Sequence, residues 1–277
     1  MDRIDLHTHS TYSDGTLTPT ELICHGKEKQ LRAIALTDHD TIGGLEEALA
    51  AGKRFGLEVI PGIELSSFGE TEMHILGYFI DPASQVLRER LAELIKTRND
   101  RNRRMVVRLQ DAGFDLQPSD LPDPDTQSVT RAHIAAAMVK RGYVESISEA
   151  FANYLSPGKI GYIARERLSP KDCIQLIRNA GGEAYLAHLN QIRLDDQRLM
   201  AALAQLKEQG LAGIEGYYSE YDQRWRERCK AYSSSLGLRM SGGSDYHGAN
   251  KKVELGTGFG NLQIPYSVLE QMRQKID

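Results

Sequence analysis

The chain has 277 residues, 40% of them hydrophobic, and a formal charge of −4; a chain this long buries roughly 70–75% of its unfolded surface without disulfides, and the acidic balance argues against bulk binding of duplex nucleic acid. Its cysteines, Cys24, Cys173 and Cys229, are odd in number, far apart and form no CxxC pair, so reduced packing residues of a cytoplasmic protein are expected. The opening MDRIDLHTHS has no basic segment followed by an apolar one, and no run of 18 apolar residues occurs, so neither a secretion signal nor a membrane span is expected.

Residues 4–9 read as a first strand. Residues 19–29 read as a helix, with Thr18 placed to cap it ahead of Pro19. Residues 33–37 give a second strand, 44–54 a second helix, and 57–60 and 73–79 a third and a fourth strand. Short apolar runs alternating with helical stretches indicate a βα fold. The alternation stops after Asp81. Residues 82–112 read as one long helix, a loop rich in Pro and Asp follows over 117–125, and helices are expected over 130–141 and 146–155. Residues 1–80 and 165–277 are therefore expected to form a barrel, and 81–164 a helical insertion covering its mouth. Strands resume at 184–187, 213–215 and 238–241, separated by helices over 197–209 and 221–236, for about seven βα steps.

The polar residues fall at the strand ends. His7 and His9 are two apart, and residues i and i+2 of a strand share a face. Alone, this pair reads equally well as two exposed histidines. But His39 ends the second strand within Thr37-Asp38-His39-Asp40, Glu64 follows the third, and His74 lies on the fourth. His188 ends the next, and Ser244-Asp245-Tyr246-His247 follows the last. In a barrel such positions converge at the C-terminal mouth. Burying so many imidazoles and carboxylates without partners is costly, and divalent cations remove that cost. Mixed nitrogen and oxygen ligands suit Mn, Zn or Fe.

Taken together, HTHSTYSDG, LTDHDT, the glutamate of GIELS, HILGY, LAH and SGGSDYH resemble the motifs of the polymerase and histidinol phosphatase (PHP) domain family, from the first residues to about residue 250. The arrangement is similar to the stand-alone bacterial phosphoesterases of that family, among them phosphatases of nucleoside 3',5'-bisphosphates and 5'-to-3' exonucleases of short RNA. The resemblance implies an α/β fold, a distorted (β/α)7 barrel of PHP type with a helical insertion, and three divalent ions, manganese being expected and zinc or iron the alternatives. Carried onto this sequence, one ion would take His7, His9, Glu64 and Asp245. A second would take Asp14, His39 and His247, and a third Glu64, His74 and His188, with Glu64 bridging. Three dications against Asp14, Glu64 and Asp245 leave an excess of about three positive charges, a field suited to phosphate. Glu64 and His247 are expected to carry the reaction, His247 as a ligand, as the acid that protonates the leaving oxygen, or as both. In one departure from the family pattern, Leu189-Asn190 follows His188 where many members have a proline.

Arg131 opens a predicted helix with His133 two residues on, and resembles the subfamily's arginine–x–histidine segment. A helix N-terminus and a guanidinium both suit an anion. Arg131, His133, Lys159 and Asp40 are the candidate substrate contacts. The basic run over 98–108 reads as a solvated helix face or as a surface for RNA, and Tyr217 and Tyr218 as base-stacking or packing residues. The expected protein is an enzyme that removes the 3'-phosphate of nucleoside 3',5'-bisphosphates and degrades short 5'-phosphorylated RNA from its 5' end. Its partners would be a small nucleotide or short single-stranded RNA, with phosphate as product, and neither a membrane nor a required protein. The alternatives are a histidinol-phosphate phosphatase, disfavoured by Arg131 and His133, and an inert binding protein of the same fold, disfavoured by the intact ligand set.

Overall fold

The computed structural model describes residues 2–122, 129, 131–164 and 167–274. The chain divides into two compact units, Met1–Arg88 with Arg167–Asp277, and Glu89–Glu166. No described helix is long and apolar enough to cross a membrane.

The strands are β1 (Arg3–Asp5), β2 (Leu31–Leu36), β3 (Glu58–Phe68), β4 (Glu72–Tyr78), β5 (Glu183–Leu186), β6 (Gly213–Tyr218) and β7 (Arg239–Gly243). The helices are α1 (Pro19–Glu28), α2 (Leu45–Phe55), α3 (Gln85–Asp111), α4 (Arg131–Lys140), α5 (Ile147–Ala150), α6 (Pro170–Asn179), α7 (Asp196–Glu208), α8 (Gln223–Leu236) and α9 (Tyr266–Arg273).

The first unit is a seven-stranded sheet in sequence order. β1 to β3 and β5 to β7 pair in parallel, while β4 runs antiparallel to both neighbours. Leu6 N donates to Gly242 O at 3.1 Å and Thr8 bridges Tyr246, so the sheet curls into a nearly closed barrel. Alternate residues of the strands, Ile4 with Leu6, Ala33 with Ala35 and Leu76 with Tyr78, pack into one core with Ile264 and Leu269. Gly243 lets β7 approach β1, because a Cβ there would lie 2.3 Å from His7 N. Local signals fix the surrounding helices. Thr18 and Glu21 cap α1 reciprocally behind Pro19, and α2 ends at Gly56 in the left-handed region.

The elements depart from those expected of the sequence in four places. The first strand ends at Asp5, although its partners persist beyond it, with Thr37 N donating to Thr8 O. β3 continues to Phe68 because it pairs along its length with β4, so Glu64 lies within the strand. β3 and β4 form a hairpin, and that expected βα step has no helix. Two further α-helices occur among the described residues: α6, opened by a Ser169–Asp172 capping box and Pro170, and α9.

In the second unit, α3 and α4 pack through Met105, Leu109, Ile134, Ala135 and Met138, joined by Leu116 and Leu155. The expected helix over 146–155 is α5 continued by a π-helical stretch, Phe151–Leu155. Of the expected loop over 117–125, Pro118–Asp120 is a 3-10 turn; residues 123–125 lie outside the described residues, as does Thr130 at the expected start of α4.

Candidate metal centre

The strands converge on Glu64. Its Oε2 lies 3.1 Å from His7 Nε2, 3.2 Å from His9 Nε2 and 3.1 Å from His39 Nδ1. Its Oε1 lies 2.8 Å from His74 Nδ1 and 2.9 Å from His188 Nε2. His7 and His9 follow β1, His39 follows β2, His188 follows β5, and Asp245 and His247 follow β7. β4 enters the barrel from the opposite end, so His74 near its start reaches the same place, paired in register with Ser66. Among the described residues, ligand-type atoms within 4.8 Å of one another form three groups: His7, His9, Glu64 and Asp245; His9, Asp14, His39 and His247; and His39, Glu64 and His74. The first has the composition expected of one ion. The second adds His9 to its expected set, and the third contains His39 where His188 was expected. His7, His9, Glu64, Asp245 and His247 are buried, while the Asp14 side chain is 55% exposed and forms the open edge.

Buried carboxylates brace these loops. Glu215 accepts from His7 Nδ1 at 2.9 Å and from His188 N at 2.8 Å. A proton held on Nδ1 directs His7 Nε2 at Glu64, the carboxylate–histidine arrangement that orients a metal ligand. His247 is set in the same way, its Nδ1 donating to Asp245 O at 2.8 Å and its Nε2 lying 3.1 Å from Asp14. Asp5 accepts from Ser244 N and Gly256 N, both at 2.8 Å, and from Ser244 Oγ at 2.5 Å. Asp38 accepts from Ser10 N, Ser10 Oγ and Ser13 Oγ, each at 2.7 Å. Asp245 Oδ2 is held by Tyr218 OH at 3.0 Å and Lys251 Nζ at 2.6 Å, which leaves Oδ1 toward His7 and His9. His188, Asp40 and Asp245 all have positive φ, at 24°, 53° and 59°; such strain persists only where surrounding contacts over-determine the backbone.

The electrostatics favour a bound cation. Burial opposes charge on His9, but Asp245 and Glu64 outweigh it and raise its pKa to about 9. Burial opposes charge on His74 as well, and Glu64 with Glu72 raises it to about 10. For His39 burial wins, and the pKa falls to about 3. Burial works against the Glu64 carboxylate too, yet His39, His7 and His74 hold it well below the usual range. His9 Nε2, His39 Nδ1 and His247 Nε2 are buried and make no hydrogen bond among the described residues. Buried imidazole nitrogens that lie 3.1–3.2 Å from carboxylate oxygens without forming a hydrogen bond are what a divalent cation satisfies, and the nitrogen–oxygen donor set suits a borderline metal. The residues present fit the implied ions.

Asp40 is 4% exposed, and its Oδ1 accepts from Ser66 N at 3.0 Å, steadying β3 beside Glu64. Tyr218 is 2% exposed, so it has no face open to a base, and its hydroxyl serves Asp245. Tyr217 packs against the barrel core. In the second unit, Arg131 and His133 lie in the first turn of α4 and Lys159 in an exposed turn. The Arg131 guanidinium sits 5.5 Å from the Phe151 ring and 5.7 Å from that of Tyr162, and donates to Leu155 O at 3.4 Å. Glu215, Asp5, Asp38 and Lys251 were not anticipated. Glu215 ends in the same tier of strand-borne polar residues and obeys the rule that found the histidines.

Comparison with known proteins agrees with this geometry. Residues 5–234 match the PHP domain. A 3',5'-nucleoside bisphosphate phosphatase of Chromobacterium violaceum is 35% identical over 252 residues, 89% of this chain and 88% of that one. The 5'-3' exoribonuclease Rnm of Escherichia coli is 33% identical over 259 residues, 91% and 87% of the two chains. The solved structure of an amidohydrolase from Chromobacterium violaceum with bound sulfate superposes with a TM-score of 0.80 at 32% identity, over 98% of this chain and 96% of that one.

Proposed function

This chain belongs to the PHP domain family and is a metal-dependent hydrolase of phosphoesters, and from that premise we propose that it releases the 3'-phosphate of nucleoside 3',5'-bisphosphates and trims short 5'-phosphorylated RNA from the 5' end. Both reactions break the bond between phosphorus and O3' and leave a 5'-nucleotide with a free 3'-hydroxyl, so one site serves both. The observation that carries the reading is the convergence of His7, His9, His39, His74 and His188 on the Glu64 carboxylate.

In this reading His7, His9, Asp14, His39, Glu64, His74, His188, Asp245 and His247 hold three divalent cations, manganese being the proposed metal. Bound cations supply Lewis acidity toward the phosphoryl oxygens and a nucleophilic water at neutral pH. Glu64 joins the groups because both its oxygens face imidazoles. His247, with its Nδ1 proton given to Asp245 O, offers Nε2 as a ligand. Glu215, Tyr218 and Lys251 fix His7 and Asp245 so that the donors need not reorganise. The metals act on any phosphoester, so choice rests on groups that bind the rest of the substrate. Arg131, His133 and Lys159 of the second unit are proposed to take the non-reacting phosphate, and Asp40 to steady the site's edge.

The test is product release by the manganese-loaded protein on adenosine 3',5'-bisphosphate, AMP, histidinol phosphate and 5'-phosphorylated RNA oligomers. The bisphosphate is expected to give phosphate and 5'-AMP, and the oligomers 5'-nucleotides. A preference for histidinol phosphate would overturn the assignment.

A further inference from the structure

Between α8 and the segment that leads to α9 lies a cavity of about 360 Å³. Tyr217, Arg226, Lys230, Met240, Asn261 and Gln263 line it, among others, and no acidic side chain does among the described residues. We propose that this cavity is an exosite for single-stranded RNA, in which Arg226 and Lys230 take backbone phosphates downstream of the scissile one and the neighbouring Phe259 ring takes a base. The inference rests on the RNA half of the reading above. The 5'-phosphate stays with Arg131, His133 and Lys159, and the scissile phosphate with the metals.

Arg226 and Lys230 are four residues apart on α8, so their side chains share a face of the helix, where like charges repel. Lys230 is exposed and makes no hydrogen bond or ion pair among the described residues. Arg226 Nη2 donates to Asn261 O at 2.9 Å, a neutral partner that leaves its charge in place. Two cations brought together without a carboxylate to offset them, in a chain of net charge −4, suit a polyanion. The floor is open because Gly216 has no side chain; a Cβ there would lie 2.5 Å from Met240 Sδ.

Phe259 adjoins the Gly260 that lines the cavity and is 58% exposed. The turn around it is fixed: Gly258 and Gly260 have positive φ, at 61° and 83°, and Phe259 N donates to Asn261 Oδ1 at 3.2 Å. Single strands bind where bases stack on aromatic rings and cations track the backbone, so the ring beside the paired cations favours a strand over a small anion. The cavity wall also reaches the rim of the barrel mouth. Asn261 Nδ2 donates to Ser219 O at 2.9 Å, and Ser219 Oγ donates at 2.8 Å to the carbonyl of Ser244, the residue before Asp245. A strand cleaved near its 5' end at the metals has this wall within reach as it leaves the mouth.

The manganese-loaded wild type and variants are compared on adenosine 3',5'-bisphosphate, on a 5'-phosphorylated RNA dinucleotide, whose one internal phosphate is the scissile one, and on a 5'-phosphorylated RNA pentamer. On the pentamer, Lys230→Gln should raise KM about threefold and Lys230→Glu about tenfold. Arg226→Gln combined with Lys230→Gln should make the fall of log(kcat/KM) with log salt concentration less steep by about 1.4. Phe259→Ser should raise the pentamer KM about tenfold, and Phe259→Trp should behave as wild type. In every variant kcat should stay within about twofold, and the kinetics on the dinucleotide and the bisphosphate should not change. An unchanged pentamer KM in Lys230→Glu and Phe259→Ser would overturn the exosite and leave the RNA reading standing. Equal losses on all three substrates would show damage to the centre and also overturn the exosite. A wild type that hydrolyses the bisphosphate but neither oligomer would overturn the exosite together with the RNA reading.

Discussion

Glu215 accepts the Nδ1 proton of His7, whose Nε2 faces Glu64 and Asp245; its charge would therefore reach an ion only through an imidazole. Glu215→Gln keeps the shape and removes that charge, and metal affinity should fall 10–100-fold. Competition against a chromogenic chelator measures this, and an unchanged affinity would reduce Glu215 to a packing residue. Protonation pulls against metal at the same residues. His9 and His74, raised to about 9 and about 10, hold protons at neutral pH in the metal-free protein. Ligands bind metal only when deprotonated, so metal uptake at pH 7 should release protons and affinity should climb as pH rises toward those values. Calorimetry in buffers of different ionisation enthalpy counts the protons, and none released would contradict the raised values. The histidines were legible in the sequence because each ends a strand, where a polar residue after an apolar run stands out. Asp5 and Asp38 were not, because a carboxylate's value as a brace depends on which loop amides the register brings to it.

At the scale of elements, the closure of β1 on β7 depends on Gly243. A Cβ there would lie 2.3 Å from His7 N and from His7 Cβ, so Gly243→Ala must displace a strand that leads into two ligands. It should lower stability by about 1–3 kcal/mol and reduce metal content together with activity, read by thermal melting and elemental analysis. Full metal occupancy with wild-type melting would show that the strands can part without harm. The β3–β4 hairpin was hidden in the sequence because an antiparallel strand buried on both faces has the same apolar run as a parallel one; only the lack of a helix between residues 68 and 72 marks it. The start of α4 tests the second unit. Arg131→Ala should cost roughly 2–5 kcal/mol in kcat/KM on the bisphosphate and far less on phenyl phosphate. Equal losses would remove Arg131 from phosphate recognition.

Across the whole molecule, the donors lie on or just after strands from both halves of the barrel, so a bound ion would tie the halves together. Chelation should abolish hydrolysis and lower the melting temperature, and manganese should restore both. An ion present at 100 times its Kd adds about 2.7 kcal/mol of stability. A chelated protein, verified free of metal, that melts as before would place the ions outside the fold's support. The barrel and its helical insertion were readable from alternating periodicity. Which side chains brace the metal ligands was not, because that depends on neighbours that come from distant parts of the sequence. That distance also bears on synthesis. Ser244 donates to Asp5 from 239 residues downstream, and His7 shares its group with Asp245. A polypeptide still emerging from the ribosome has its first histidines exposed long before the last strand exists. Only a polypeptide that has passed β7 assembles the whole centre, so fragments from interrupted translation lack the complete ligand set.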